Sequence, residues 1–212
     1  MKKVFLIAFL IMGIASITTA QNKQLEKAWA KQTKEKIKEL KKEGWKINDP
    51  SKTIEVALLE HNDKVNSKGF RQYVGRATCT DDVSLCAEFA TMDAGATYAT
   101  YVSSFIKGNA DRLNSKIGKV QTSTIISGFE RLVQSEIKNV LQESYALVKQ
   151  NGAEYQYQIA YIVNEDEAHK ATMNALKNAL DENKVSIEVA NEISDFVNDG
   201  FKKESKESNE TK

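Results

Sequence analysis

The 212-residue chain has one proline, two cysteines, two histidines and ten scattered glycines. Because Pro50 is alone and no stretch is rich in glycine and serine, nothing marks a linker between two domains. The glycines form no phosphate-binding loop, and no G-x-S-x-G elbow is present. Two histidines leave little material for a general base or a metal site. The composition therefore argues against an enzyme, and we expect no cofactor and no metal.

Long apolar runs are also missing, apart from one at the N-terminus. Two lysines precede an uncharged apolar stretch, residues 4–17, and small residues follow it. This order is typical of a secretory signal peptide, residues 1–20, cleaved between Ala20 and Gln21. An apolar run of about fourteen residues would rise about 21 Å as a helix, short of the roughly 30 Å hydrocarbon core of a bilayer. We therefore expect the chain to be exported.

The mature chain is expected to be released rather than anchored. No cysteine lies near the cleavage site to carry a bacterial lipid, and no later segment reaches the ~20 apolar residues of a spanning helix. Export removes two lysines, so 30 basic and 29 acidic residues become 28 and 29. A charge near −1 gives no bulk attraction to nucleic acid or to an anionic membrane. The expected location is the periplasm or the medium, with outer-membrane association without a lipid anchor left open.

Residues 21–201 combine helical and strand patterns in one stretch, which predicts a single α+β domain. We predict helices over residues 24–43, 52–62, 83–116, 123–138, 165–180 and 186–203, and strands over residues 45–47, 70–79, 141–147 and 155–163. The strands should form a small, mostly antiparallel sheet of about four strands, with helices on one face and the N- and C-terminal helices beside it. Residues 202–212 contain no apolar side chain and predict a disordered charged tail.

The clearest local signal is a β-hairpin. Side chains alternate up to Asn151-Gly152, and Tyr155, Tyr157 and Tyr161 then alternate along the next strand. Asn-Gly is typical of a two-residue type I′ turn because both residues tolerate positive φ. The period of two places the three tyrosines on one face of the strand. That face either packs in the core or lines a groove for a small ligand or peptide.

The helix over residues 24–43 is rich in both lysine and glutamate. Its narrow apolar stripe consists of Leu25, Trp29, Ile37 and Leu40. Gly44 follows the last turn and is placed to end the helix in the left-handed conformation. Because acids are interleaved with the lysines, we interpret the charged side as a solvated face rather than a patch for nucleic acid.

Cys79 and Cys86 are the only cysteines. In an exported protein they are in a compartment that permits a disulfide, and a loop of about eight residues would contribute about 2.5 kcal/mol by chain entropy. Spacing does not establish the side-chain geometry, so two small buried free cysteines are the alternative. The spacing is not that of a redox motif, and no histidine lies nearby in sequence to complete a metal site.

His61 and His169 lie close to carboxylates in sequence, in the segments EHND and EDEAHK. Either could act as a general acid or base in a hydrolase. A histidine exposed on a charged surface accounts for the same pattern. Ser127-Gly128 falls within a helical pattern rather than at a strand-to-helix elbow. We therefore predict no catalytic residue.

Four segments occur in the order LEKAWAKQTKEKIKELKKEGWKI, FRQYVGRATC, a long alanine-rich helix and LQESYALVKQNGAEYQYQIAYIV, followed by a closing helix. In this order, residues 24–201 resemble the LPP-type small outer-membrane lipoprotein superfamily, which is related to the N-terminal domain of the flagellar T protein. Many exported chains of this kind occur in Bacteroidales-type bacteria. The resemblance implies an α+β envelope domain and supplies no catalytic residues. This chain lacks the lipid-anchoring cysteine, which favours the periplasm or secretion.

Together these patterns predict a non-enzymatic exported protein that binds another envelope component through its helices or a sheet edge. The alternative is a periplasmic domain that binds a small ligand or peptide on the face formed by Tyr155, Tyr157 and Tyr161. We do not expect nucleic acid as a partner, nor a transmembrane segment in the mature chain. The identity of the partner and the oligomeric state are not encoded in these patterns.

Overall fold

The computed structural model describes residues 19–67, 69–80 and 82–210, with side chains for residues 27–203 of these ranges. Residues 1–18 of the predicted signal peptide lie outside the described residues. The described helices are α1 Thr19–Lys42, α2 Ile54–Asn66, α3 Val83–Lys107, α4 Ala110–Ile117, α5 Lys119–Ile137, α6 Glu165–Glu182 and α7 Ile187–Glu210. The described strands are β1 Lys46–Ile47, β2 Phe70–Thr80, β3 Gln142–Asn151 and β4 Glu154–Asn164. The α+β prediction is confirmed.

The four strands form one antiparallel sheet in the order β1-β3-β4-β2. β3 and β4 are the predicted hairpin, but the turn lies one residue later than predicted. Asn151 pairs with Glu154, so the two loop residues are Gly152 and Ala153. Gly152 has φ 64°, whereas Ala153 does not adopt positive φ. A glycine with positive φ at the first loop position is the type II′ pattern, so the type I′ prediction is wrong.

α3 covers one face of the sheet, directly over β2 and β4. The small side chains Ala90 and Ala94 are fully buried there. Gly75 of β2 lies beneath them, and a Cβ atom on it would stand 2.9 Å from the amide nitrogen of Ala94. The glycine lets helix and strand backbones touch. Behind α3, the helices α4 to α7 bury the largest core cluster, which includes Tyr98, Phe129 and Leu176.

The opposite face of the sheet is covered at one end by α2 and the last turns of α1. Ile37, Leu40, Ile54 and Leu58 pack there against Leu147 of β3. Ala146, the neighbour of Leu147, belongs to the cluster under α3, as expected because successive strand residues point to opposite faces. Helices therefore pack on both faces of the sheet, whereas the sequence predicted helices on one face only.

Capping residues close several helix ends, and the end of α1 at Gly44 is the one that the sequence predicted. Asp82 and Asn164 cap α3 and α6 by accepting hydrogen bonds from backbone N–H groups of the first turn. Gly44 ends α1 with φ 85°, and the amide of Trp45 donates to the carbonyl of Leu40. These contacts satisfy the unpaired groups that every helix end exposes.

Two elements differ most from the prediction. The long helix predicted over residues 83–116 is two helices, α3 and α4, which are separated by Gly108 and Asn109. The backbone of α7 is helical as far as Glu210, well into residues 202–212, for which the sequence predicts a disordered tail. Among the described residues, no helix has the length and hydropathy needed to cross a membrane.

Candidate binding surfaces

Two of the three tyrosines on β4 belong to the core. Tyr157 and Tyr161 are 3% and 7% exposed under α3. The side-chain amide of Asn48 donates to the Tyr157 hydroxyl over 3.0 Å, and the Tyr161 hydroxyl hydrogen-bonds Thr91 over 2.8 Å. Burial raises the pKa of both phenols above the ordinary value. Only Tyr155 reaches a surface where a ligand could bind.

An open groove of about 400 Å³ adjoins Tyr155. It lies where β1, β3 and the hairpin turn approach the N-terminal end of α3. Its lining residues are Gly44, Lys46, Asn48, Val83, Val148, Gln150, Gly152 and Tyr155. A volume of this size is within the range of small-molecule sites, roughly 300–1,000 Å³. The lining offers one ammonium group, two amides and an aromatic ring, which suits a small polar ligand with a negative charge.

The second candidate surface is the part of α1 over residues 27–32. Thr33, Ile37 and Leu40 are buried against the body of the protein. Toward the N-terminus of the helix, every side chain of residues 27–32 is exposed, including Trp29 at 38%. A helix that continues past its packing partner with all sides exposed presents a surface free for another molecule. The described part of α1 includes Thr19 to Lys42, so the predicted cleavage site between Ala20 and Gln21 lies within this helix.

His61 does not lie on the surface. Its side chain is 2% exposed, between α2 and the sheet, so the interpretation as an exposed histidine is wrong. One ring nitrogen hydrogen-bonds Ser144 over 2.9 Å, and the other contacts the amide oxygen of Gln72. The ring also packs edge-on against Tyr145 at 5.0 Å. Since amide oxygens only accept, Nε2 carries the proton, and the neutral ring joins α2 to β2 and β3.

The buried position of His61 predicts an acid-sensitive fold. Burial lowers the pKa of His61 below 6.5, and the positive charge of Lys64 acts in the same direction. The neutral ring is thus favoured in the folded state, so this stabilisation is present above about pH 6.5 and is lost as the pH falls below it. We expect the free energy of unfolding, measured with urea, to be lower at about pH 5.5 than at about pH 7.5.

Two variants isolate the His61 contribution. His61→Gln should flatten this pH dependence, whereas His169→Gln should leave it in place. Equal profiles for the wild type and His61→Gln would show that the buried ring does not set the acid sensitivity.

His169 lies between α6 and α7. Its Nε2 atom hydrogen-bonds Asn198 over 2.9 Å, and its ring packs on Phe201 at 4.5 Å. The side chain is half-buried, and these contacts join the two helices. A cavity of about 30 Å³ lies nearby, lined by three tyrosines and by the Arg71–Glu165 ion pair. Such a space holds about one water molecule and no organic ligand.

Cys79 and Cys86 form a disulfide, with their Cα atoms 5.7 Å apart. The bond joins the end of β2 to the first turns of α3. Its neighbours include Val83 and Tyr155, both of which line the groove. The disulfide therefore holds the α3 end of the groove against the strand. Among the described residues, no group of three or more histidine, cysteine or acidic side chains is placed to hold a metal ion.

Comparison with protein-family models, with curated proteins and with solved structures gave no match for this chain. The resemblance to the LPP-type superfamily therefore stays a prediction.

Sequence reasoning named Tyr155 but missed the rest of the groove. Lys46 and Asn48 lie in one segment and Gln150 lies about one hundred residues later, and no local pattern links them. They meet only because β1 pairs with β3, with Lys46 opposite Val148. Because β1 is only two residues long, the sequence gives no pattern from which its pairing with β3 could be predicted.

Proposed function

We propose that this chain is a non-enzymatic exported protein of the cell envelope that binds another envelope component through α1. The observation that carries the proposal is the exposed segment of this helix over residues 27–32, which has no packing partner in the described part of the chain. Most helical stability in proteins comes from tertiary packing, so a binding partner that packs on residues 27–32 would stabilise this segment. The signal-peptide pattern at the N-terminus supports the location.

Site-specific photocrosslinking in the native envelope tests this proposal. A p-benzoylphenylalanine in place of Ala28 would report what touches α1. The matched control replaces Gln121, which is exposed near the start of α5 on the helical layer. We expect an adduct with a discrete envelope component from position 28 and none from position 121, in the periplasmic or outer-membrane fraction.

Other results of this experiment would reject the proposal. These are recovery of the protein from the cytoplasm, or equal adducts from both positions. A turnover activity that disappears in His61→Ala or His169→Ala, with the fold intact, would instead assign the chain to an enzyme class.

The second candidate function is binding of a small acidic ligand, such as a short peptide, in the groove beside Tyr155. The groove volume of about 400 Å³ and the ammonium group of Lys46 favour it. Tripeptides with a free carboxylate can be titrated while the amide resonances of β1 and the hairpin turn are followed by NMR.

This candidate predicts a specific effect of the Lys46 charge. Lys46→Gln should weaken binding by about tenfold or more, since a charge-assisted hydrogen bond contributes about 1.5–3 kcal/mol. Lys170→Gln, a matched change on an exposed lysine of α6, should have no effect. Shifts that are absent, or that Lys46→Gln leaves unchanged, would exclude the groove as the site.

A further inference from the structure

Five exposed lysines of α1 lie in one straight row. Successive members are three or four residues apart, so at 3.6 residues per turn they fall within an arc of about 80°. The row is about 22 Å long at 1.5 Å per residue. The glutamates of this helix lie outside the arc. The members of this lysine row are Lys27, Lys31, Lys34, Lys38 and Lys42.

Among the described side chains, no carboxylate forms an ion pair with a member of the lysine row. The ion pairs on α1 among residues 27–203 are Lys36–Glu39 and Lys41–Glu55, and neither includes a member of the row. The imbalance extends to the whole helix, because residues 21–42 contain eight lysines and three glutamates. Residues 43–212 contain 20 basic and 26 acidic residues. The near-zero net charge therefore conceals a strongly basic helix on an acidic body.

Local charge decides what such a helix attracts. At physiological ionic strength, charges farther than about 8 Å from a surface are largely screened. A surface facing the lysine row would therefore interact with the five ammonium groups and only weakly with the acidic body. The row is straight and convex, so it forms no pocket for one small anion. A flat array of many anionic groups is the chemistry that it fits.

We propose that the lysine row docks the mature chain on an anionic phospholipid surface. This inference rests on the proposed function, since it names the chemical class of the envelope component that α1 binds. Each lysine held near an anionic membrane surface contributes about 1 kcal/mol, which corresponds to roughly a fivefold gain in partition. The contributions of five such residues together would hold the protein at the membrane surface.

The contact is electrostatic and does not insert the helix. Trp29 lies on the side of α1 opposite the lysine row, at 100° per residue along the helix. Ile37 and Leu40 are buried against the body of the protein. With its apolar side chains turned away from the row, α1 has no apolar face to place between the lipid headgroups.

Vesicle sedimentation of the full mature chain tests this inference. The probes are vesicles of phosphatidylglycerol mixed with phosphatidylcholine, and vesicles of phosphatidylcholine alone. We expect binding to the anionic vesicles only, and a decrease in binding as salt is added. In a Trp45→Phe background, the emission of Trp29 should stay unchanged on binding.

A pair of charge-matched variants isolates the lysine row. Changing all five members of the row to glutamine should lower the partition by about 100-fold or more. The control changes five exposed lysines that have no ion pair in the described part of the chain to glutamine. These control lysines are Lys119, Lys138, Lys170, Lys177 and Lys203. Glutamine and lysine have similar helix propensities, and circular dichroism checks that both variants fold.

Several results would overturn the lipid assignment. They are equal losses in the two variants, equal binding to both vesicle types, no vesicle binding, or a blue shift of Trp29 emission. A dimer seen by light scattering and lost only in the row variant would assign the row to self-association instead. If the chain does not bind vesicles while position 28 still crosslinks a discrete envelope protein, the lipid inference is rejected and the proposed function stands. If the chain binds no vesicles and position 28 gives no adduct, both proposals are rejected.

Discussion

Replacing Gly75 by alanine is expected to destabilise the fold by about 3 kcal/mol or more, because overpacking a contact between two backbones forces one of them to move. An added Cβ would overlap the carbonyl oxygen of Ala90 and lie 2.7 Å from its carbonyl carbon. These are main-chain atoms of α3, so no side chain can rotate away. For a chain of this size, the midpoint of thermal unfolding should fall by roughly 6–12 °C.

Gly128→Ala is the matched control for Gly75→Ala. Gly128 lies in the interior of α5, and the nearest atom to its added Cβ would be the Asn183 side-chain nitrogen at 3.7 Å. Alanine is a better helix former than glycine, so this change should stabilise the protein by about 0.5–1 kcal/mol. Urea unfolding of both variants measures the difference. Equal stabilities would show that α3 does not lie directly on β2.

Breaking the disulfide is expected to cost about 2.5 kcal/mol of unfolding free energy, the chain-entropy value for a short loop. Cys79 and Cys86 are seven residues apart. The loop is formed by the end of β2 and the start of α3, so the loss should also loosen the groove beside Tyr155. Unfolding of the wild type with and without reducing agent gives the cost directly.

The double variant Cys79→Ala with Cys86→Ala is the control for reduction. Its stability should match that of the reduced wild type and should not respond to the reducing agent. Two titratable thiols in the unfolded, unreduced protein would contradict the disulfide and leave two free cysteines.

Local signals predicted most of the secondary structure, and non-local contacts account for the errors. Gly44 ends α1 as expected because a cap depends on residues within one turn. The hairpin turn was misplaced by one residue because Asn151-Gly152 and Gly152-Ala153 both fit a two-residue loop. Strand register depends on which residues pack across the sheet, and that information lies far away in the chain.

The candidate surfaces were harder to predict than the fold. His61 has charged neighbours in sequence, but α2 turns its ring inward onto Ser144 and Gln72. The lysines of α1 are interleaved with glutamates in the sequence, which suggested a face of mixed charge. On the helix the two charges separate, and the lysine row becomes visible only when the helical period is followed over four turns.

Export of the chain is the central requirement. A stable disulfide, an envelope component as the partner and the docking of the lysine row on an envelope phospholipid surface all depend on it. Cleavage after Ala20 would place the row seven residues from the new N-terminus. The intact mass of the protein recovered from the cell envelope measures this directly. A chain that begins at Gln21 is the predicted result, and a chain that retains Met1 in the cytoplasm would contradict it.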